Sequence, residues 1–189
     1  MNPSAANPNP GQSAPTIKVR IAEFKIASAP ALLKSYGLGS CVGVALYDPQ
    51  ARIGGLAHVL LPAWFKGKGQ EARAASRAPL PRNPLKYADL ALEQLLRRLL
   101  EQGGSAERLS AKIAGGANMF SSLIPPPTSG PGKASIGDRN VKAVRVELKR
   151  LGIPLQAEDV GGEEGRTLEL DTSTGALRVI TSRGLSRVL

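Results

Sequence analysis

Residues 37–62 read GLGSCVGVALYDPQARIGGLAHVLLP, and their pattern of apolar runs and glycines is the most informative one for the fold. Residues 41–48 are apolar and rich in β-branched side chains, which favours a strand, although a short buried helix beginning at Cys41 is also compatible with them. After a predicted glycine turn at 54–55, residues 56–62 form a second apolar run that ends at a proline and is typical of a buried strand. The stretch therefore predicts core strands, the first of them entered through a glycine-rich turn.

Strands and amphipathic helices follow on both sides of this stretch. Residues 17–27 alternate apolar and polar side chains, as a half-buried strand does. One helix is predicted to begin at Asn83 and to stop before Gly103, and another to be capped by Asp138 and to end at Gly152. Their apolar stripes are Leu85, Ala88, Leu92, Leu96 and Leu99 in the first helix, and Val141, Val144, Leu148 and Leu151 in the second. Short strands fit residues 109–114, 155–160, 167–170 and 177–180. The pattern predicts one mixed α+β domain.

The domain boundaries follow from charge and proline content. Residues 1–15 contain no charged side chain and four prolines, which predicts a disordered N-terminal tail. We expect the folded domain to cover residues 16–182 and a C-terminal tail to cover residues 183–189. Residues 62–83 form a long predicted loop with five basic side chains and a single acidic one, and loops of this length are commonly functional or disordered.

The composition limits the kinds of protein that this chain can be. Its 189 residues carry a net charge of +10, which attracts nucleic acid, anionic lipid or acidic protein surfaces. With three Phe, three Tyr and one Trp, the chain lacks the aromatic-basic interleaving of nucleic-acid binders, and residues 158–171 are strongly acidic. No apolar run approaches the roughly 20 residues that span a bilayer, and no signal-peptide pattern is present. We therefore expect a cytoplasmic protein with no nucleic-acid partner and no membrane insertion.

A single cysteine and a single histidine restrict the chemistry. Cys41 alone excludes an intramolecular disulfide framework, and His58 alone excludes multi-histidine zinc sites, so the sequence predicts no metal. Each residue is also compatible with a structural role, as a small buried hydrophobe or a hydrogen-bonded core histidine. The turn before Cys41, however, leaves backbone N–H groups available, those of Ser40 and Cys41 among them. Such groups lower a thiol pKa and bind an oxyanion.

His58 follows Cys41 by seventeen residues, on the next predicted strand. Neighbouring strands bring such a pair within reach, and a cysteine beside a histidine supplies a nucleophile and its base. A third polar group orients the imidazole in such sites. The spacing leaves four alternatives open for this third group: Ser35, Asp48, Ser40 and a backbone carbonyl. The glycines of the turn do not fit the GxGxxG pattern, which argues against a nucleotide site.

Six segments, taken in order, resemble the CheD family of chemoreceptor glutamine deamidases. They are GLGSCVGVALYDP, GGLAHVLLP, KYADLALEQLL, AKIAGGANMF, IGDRNVKAVRVELKRLGI and AEDVGGEEGRTLELDTSTGALRV, and they lie within residues 17–180. The resemblance implies a three-layer α/β/α sandwich with a Cys-His-Thr catalytic triad. By position, the nucleophile is Cys41, the general base is His58, and Ser35 stands where the family has threonine. Serine keeps the hydroxyl group that orients the imidazole but lacks the methyl group that fixes its rotamer.

The resemblance also implies a reaction and its partners. Cys41 would convert glutamine side chains on the cytoplasmic helices of methyl-accepting chemotaxis receptors to glutamate through a thioester, without a cofactor. Hydrolysis of receptor glutamyl methyl esters is implied as well. A second implied partner is CheC, a phosphatase of phosphorylated CheY, with Phe120 as a contact. If Ser35 disables the triad, the alternative is a largely non-catalytic binding partner of CheC and of receptors.

Overall fold

The computed structural model describes residues 14–64, 79–119 and 134–189, which contain ten β-strands and two α-helices. The strands are β1 (Thr16–Val19), β2 (Phe24–Ser28), β3 (Leu32–Leu38), β4 (Val42–Asp48), β5 (Ile53–Val59), β6 (Ser110–Gly115), β7 (Leu155–Val160), β8 (Arg166–Asp171), β9 (Leu177–Thr181) and β10 (Ser186–Val188). The helices are α1 (Ala88–Glu101), preceded by a 3-10 turn at Pro84–Lys86, and α2 (Ile136–Arg150). Neither α-helix of these described ranges is long and apolar enough to cross a membrane.

The strands form two five-stranded sheets. The first sheet has the order β1-β3-β8-β9-β10, in which β1 and β3 are parallel and the other neighbours are antiparallel. The second sheet has the order β2-β5-β4-β6-β7, in which only β6 and β7 are parallel. Because β3 and β4 belong to different sheets, the turn at residues 39–41 carries the chain from one sheet to the other.

Side chains of β4 point alternately into two cores. Val42, Val44 and Leu46 pack between the second sheet and the two helices. Ala45 instead packs in a smaller core together with residues of β3, β8 and β9. Both helices therefore cover one face of the second sheet, while the first sheet covers its other face. The layers run from helices to second sheet to first sheet.

The predicted α+β domain is confirmed, but the α/β/α order of layers is not. Within the described residues, the face of the second sheet opposite the helices is covered by β3, β8 and β9, where the resemblance implied another helical layer. An amphipathic pattern shows that a helix has an apolar face. It does not show which side of which sheet that face covers.

The glycine pair at 54–55 lies inside β5 and not in a turn. A Cβ on Gly54 would lie 3.1 Å from Leu170 Cδ2, and a Cβ on Gly55 would lie 2.5 Å from Leu95 Cδ1. The absence of side chains thus lets the first sheet and α1 approach β5 from opposite sides. The turn occurs earlier, at residues 49–52, and residues 42–48 form the favoured strand and not a helix.

Two further predictions are corrected at the ends of elements. Asp138 is not the cap of α2 but the partner of the cap, Ser135, in a capping box: the Asp138 N–H donates to Ser135 Oγ (3.0 Å), and the Ser135 N–H donates to Asp138 Oδ2 (3.0 Å). Residues 183–189, predicted as a tail, contain β10, which pairs antiparallel with β9. The predicted N-terminal tail lies largely outside the described residues, as does most of the basic loop.

Asp48, at the end of β4, fastens the following turn to the loop before β6. Its buried carboxylate accepts hydrogen bonds from the backbone N–H groups of Gln50, Ala51 and Ser105. It also forms a bidentate ion pair with Arg108, with Nη2 at 2.8 Å from Oδ2. Burial opposes ionisation, but Arg108 and the N–H donors lower the pKa of Asp48 to about 2.

Replacing Asp48 by asparagine is expected to destabilise the domain by about 3 kcal/mol, because Arg108 loses its partner and buried donors lose a charged acceptor. Urea unfolding at neutral pH measures the effect. Glu101→Gln is the matched control, since Glu101 pairs with Arg98 on an exposed helix end and such a pair contributes less than about 1 kcal/mol. Equal losses of stability in the two variants would contradict the structural role given to Asp48.

Candidate active site

Cys41 lies where the chain passes from the first sheet to the second, one residue before β4. The carbonyl of Cys41 accepts the N–H of Gly116, and the carbonyl of Gly39 accepts the N–H of Ala117, both at 2.8 Å. Gly115 has a φ of 119°, and a Cβ there would collide with the Cys41 carbonyl. The residues that follow β6 therefore hold the backbone of residues 39–41, which carries the Cys41 thiol, in place. The Cys41 residue is 7% exposed.

His58 lies on β5 and faces the core between the two sheets. Its N–H donates to Glu23 O (2.9 Å), and its carbonyl accepts the N–H of Ala22 (3.0 Å), so the turn between β1 and β2 fixes its backbone. Across the sheet, His58 is paired with Gly43. Cys41 precedes Gly43 by two residues and is therefore the diagonal neighbour of His58 on the same face, a relation in which side chains are about 7–8 Å apart at their bases.

Ser35 on β3 approaches His58 from the opposite sheet. The Ser35 hydroxyl lies 3.1 Å from Val19 O and 2.9 Å from His58 Nδ1. A carbonyl only accepts, so the single hydroxyl hydrogen goes to Val19 O, and Ser35 Oγ accepts from a protonated Nδ1. The imidazole therefore carries its hydrogen on Nδ1 and a lone pair on Nε2. Nε2 is buried and makes no hydrogen bond within the described part of the chain.

The electrostatics of the pair favour two neutral groups. Burial lowers the pKa of His58 to about 4, and His58 is only 1% exposed. Burial also raises the pKa of the Cys41 thiol, outweighing the opposite effect of its own backbone N–H. At neutral pH the resting site thus holds a thiol and a neutral imidazole with a free lone pair, and not a thiolate-imidazolium pair.

The structure shows where each alternative for the third group lies. Ser35 contacts His58, whereas Asp48 lies at the far end of β4 and accepts hydrogen bonds from the turn that follows it. Ser40 contributes its backbone: its carbonyl accepts a hydrogen bond from Asn140 Nδ2 (2.8 Å). Phe120, proposed as a partner contact, lies outside the described residues.

Asn140 is the residue at this site that the sequence pattern did not reveal. It lies on the inner face of α2, fully buried, and also donates to Leu60 O (3.0 Å). A signal was present, because residue 140 is spaced by four and eight from Val144 and Leu148 and so falls on the buried stripe. Among the described residues, no group of three or more His, Cys, Asp or Glu side chains is arranged to hold a metal ion.

Known proteins resemble this chain over most of its length. A family model described as "CheD chemotactic sensory transduction" matches residues 72–181. A protein of Geobacter metallireducens named "Probable chemoreceptor glutamine deamidase CheD 2" is 48% identical over 86% of this chain and 91% of its own. A protein of Pyrococcus abyssi named "Probable chemoreceptor glutamine deamidase CheD" is 44% identical over 86% of this chain and 90% of its own.

Among solved structures, the hypothetical protein YfiH of Bacillus licheniformis covers 72% of this chain and 49% of its own at 18% identity. Its TM-score of 0.40 is too low to establish a shared fold. The family model, by contrast, spans more than half of this chain, and the two relatives are 48% and 44% identical over 86% of it. The chain belongs to the CheD family.

Proposed function

We propose that this chain is a chemoreceptor glutamine deamidase that converts receptor glutamine side chains to glutamate through a thioester on Cys41. One observation carries the mechanism: the Ser35 hydroxyl bridges Val19 O and His58 Nδ1, which leaves the lone pair of Nε2 for a proton. The names of the relatives supply the substrate class. The net charge of +10 favours encounter with acidic receptor helices.

The first half of the reaction makes the thioester. Nε2 of His58 takes the thiol proton as Cys41 Sγ attacks the amide carbon of the glutamine. The carbonyl oxygen becomes an oxyanion, for which the N–H groups of Ser40 and Cys41 are the proposed donors. Ser35 accepts the Nδ1–H bond throughout, which stabilises the imidazolium. The imidazolium then protonates the amide nitrogen, because ammonia leaves readily and an amide anion does not, and the carbon-nitrogen bond breaks.

The second half regenerates the enzyme. His58, neutral again, accepts a proton from water as the water oxygen attacks the thioester carbon. The carbon-sulfur bond breaks, the proton returns to the Cys41 sulfur, and the receptor side chain leaves as glutamate. A glutamyl methyl ester fits the same steps, with methanol as the leaving group. Each converted glutamine adds a negative charge to a receptor helix, which alters helix-helix electrostatics in the receptor.

Intact mass spectrometry of a receptor cytoplasmic domain incubated with this protein tests the proposal. The expected result is the mass increase of amide-to-acid conversion, located by peptide mapping to particular glutamines. A receptor that binds but keeps its mass would favour the alternative, a regulatory binding partner of receptors and of CheC. The CheC contact at Phe120 and the cytoplasmic location remain predictions.

Ser35 provides a test of the histidine arrangement. Ser35→Ala is expected to lower kcat about 100-fold, because the imidazole loses the acceptor that fixes its tautomer. Ser35→Thr keeps the hydroxyl group and is expected to retain activity. Receptor conversion followed by mass spectrometry measures both variants.

Thr172→Ala is the matched control for Ser35→Ala. Thr172 is also buried, and its hydroxyl is hydrogen-bonded to the N–H and carbonyl groups of Ala31, away from His58. Its loss is expected to lower stability by about 1–3 kcal/mol with kcat preserved. Unchanged kcat in Ser35→Ala, or an equal kcat loss in Thr172→Ala, would contradict the role given to Ser35.

A further inference from the structure

Asn140 is a buried residue whose side-chain amide connects the start of β4 to the end of β5 at the active site. Its Nδ2 atom donates to Ser40 O (2.8 Å) and to Leu60 O (3.0 Å). Because both partners are carbonyl oxygens, the group that faces them must be the NH₂ group, and both of its hydrogens are used. Ser40 precedes Cys41, and Leu60 follows His58 by two residues. One side chain thus holds the backbone next to both reacting residues.

The other half of the amide is unsatisfied. Asn140 Oδ1 is buried and accepts no hydrogen bond from the described residues. A buried acceptor without a partner lowers stability, and an apolar side chain would cover the sheet better at this position of α2. The two bonds made by Nδ2 are the contacts that offset this cost.

The bond to Ser40 fixes the direction of the Cys41 N–H. The Ser40 carbonyl and the Cys41 N–H belong to one planar trans peptide, in which the two groups point in opposite directions. Within the described residues, the Cys41 N–H donates to no backbone carbonyl. The same N–H acts to lower the pKa of the Cys41 thiol, although burial prevails. An N–H that donates to no backbone carbonyl of the described residues and lies close to the sulfur is placed to meet an oxyanion on the carbon that the sulfur attacks.

Two glycines bring α2 close enough for this contact. A Cβ on Gly137, in the first turn of α2, would collide with the carbonyl of Gly116, and a Cβ on Gly116 would collide with Val141. Gly116 in turn donates to the Cys41 carbonyl at 2.8 Å. The first turns of α2 and the residues that clamp Cys41 thus form one tightly packed unit.

We infer that Asn140 is a positioning residue that holds the Ser40–Cys41 peptide so that the Cys41 N–H stabilises the oxyanion. The inference rests on the proposed nucleophilic role of Cys41, but not on the receptor as substrate. Its consequence is selective: loss of Asn140 should slow reactions of Cys41 that pass through an oxyanion and spare those that do not.

Two small reagents separate these reactions. p-Nitrophenyl acetate acylates Cys41: the carbon-sulfur bond forms through an oxyanion, the thiol proton passes to His58, and p-nitrophenolate leaves. Iodoacetamide alkylates the same sulfur by direct displacement of iodide, with no oxyanion. The ratio of the two rate constants therefore reports oxyanion stabilisation separately from thiol reactivity.

In Asn140→Ala, the acylation rate is expected to fall by up to about 100-fold while alkylation changes little. The Cys41 N–H remains but is no longer held toward the oxyanion, and complete removal of one oxyanion donor costs about 10²–10³ in rate. Val144→Ala, on the same buried stripe of α2, is the control and should leave the ratio unchanged. If Asn140→Ala does not fold, Asn140→Ser, which keeps one donor hydrogen, should show a smaller selective loss.

An unchanged ratio of acylation to alkylation in the Asn140 variants would overturn the inference, whether both rates fall in proportion or neither rate changes. Wild-type acylation no faster than that of a free thiol of equal alkylation rate would also overturn it. A wild-type protein that is acylated rapidly but leaves receptor glutamines intact would refute the proposed function and not the role of Asn140.

Discussion

Cys41→Ser is expected to abolish receptor deamidation, with a loss of at least about 1000-fold in kcat/KM. The substitution keeps the size and the polar hydrogen of the side chain, so the backbone clamp of Gly116 on residue 41 remains. A serine hydroxyl is a far weaker acid than a thiol, and burial further opposes its ionisation. His58, whose pKa burial lowers to about 4, is too weak a base to activate it. Intact mass spectrometry of the receptor domain measures the conversion.

Binding separates loss of chemistry from loss of structure in Cys41→Ser. The variant should bind the receptor domain with the affinity of the wild type and unfold at the same urea concentration. Conversion at a wild-type rate in this variant would refute the thioester mechanism. If neither protein converts the receptor while both bind it, the chain acts as a binding partner, and Ser35→Thr becomes the variant that tests for a disabled triad.

Local patterns were sufficient to predict the strand that carries His58 and the strand that begins directly after Cys41. The apolar run at 42–48 and the one that contains His58 formed strands, and their antiparallel pairing makes Cys41 the diagonal neighbour of His58. This pairing follows from sequence proximity, because consecutive strands joined by a short turn usually lie side by side. The predicted turn at residues 54–55 was wrong, because the two glycines lie inside β5 and permit close packing on both faces of the sheet.

Contacts between distant layers could not be predicted from local patterns. Ser35 meets His58 only because β3 and β5 lie in different sheets that face each other. The residues alone left four alternatives for this third group, and the family resemblance singled out Ser35. Asn140 was missed because its partners are carbonyl groups, which every residue possesses and no sequence pattern marks.

Stability at mildly acidic pH is expected to depend on His58, the single histidine of the chain. Burial lowers the pKa of His58 from 6.5 to about 4, so below pH 6.5 the unfolded chain binds a proton that the folded protein does not. The contribution of His58 to the free energy of unfolding is therefore fully present above about pH 6.5. About 2 kcal/mol of it is lost between pH 6.5 and 5, and the total loss is about 3 kcal/mol at pH 4. Urea unfolding at several pH values measures this slope.

His58→Gln should remove the slope between pH 6.5 and 5, because no other histidine titrates there. Carboxyl groups with lowered pKa values, such as Asp48 and Glu23, act at lower pH, and their contribution remains in the variant as an internal reference. A slope of the same size in His58→Gln would show that another group is responsible.

The same pKa value determines the acid limb of catalysis. Since the neutral form of His58 is the base, kcat/KM for receptor deamidation should stay level from neutral pH down to about pH 5 and fall with an apparent pKa of about 4. A thiolate-imidazolium pair would behave differently, because its histidine must be protonated at the working pH. An acid limb near pH 6.5 would mean that His58 titrates as an exposed imidazole, and would contradict the buried, Ser35-bound arrangement from which the mechanism is derived.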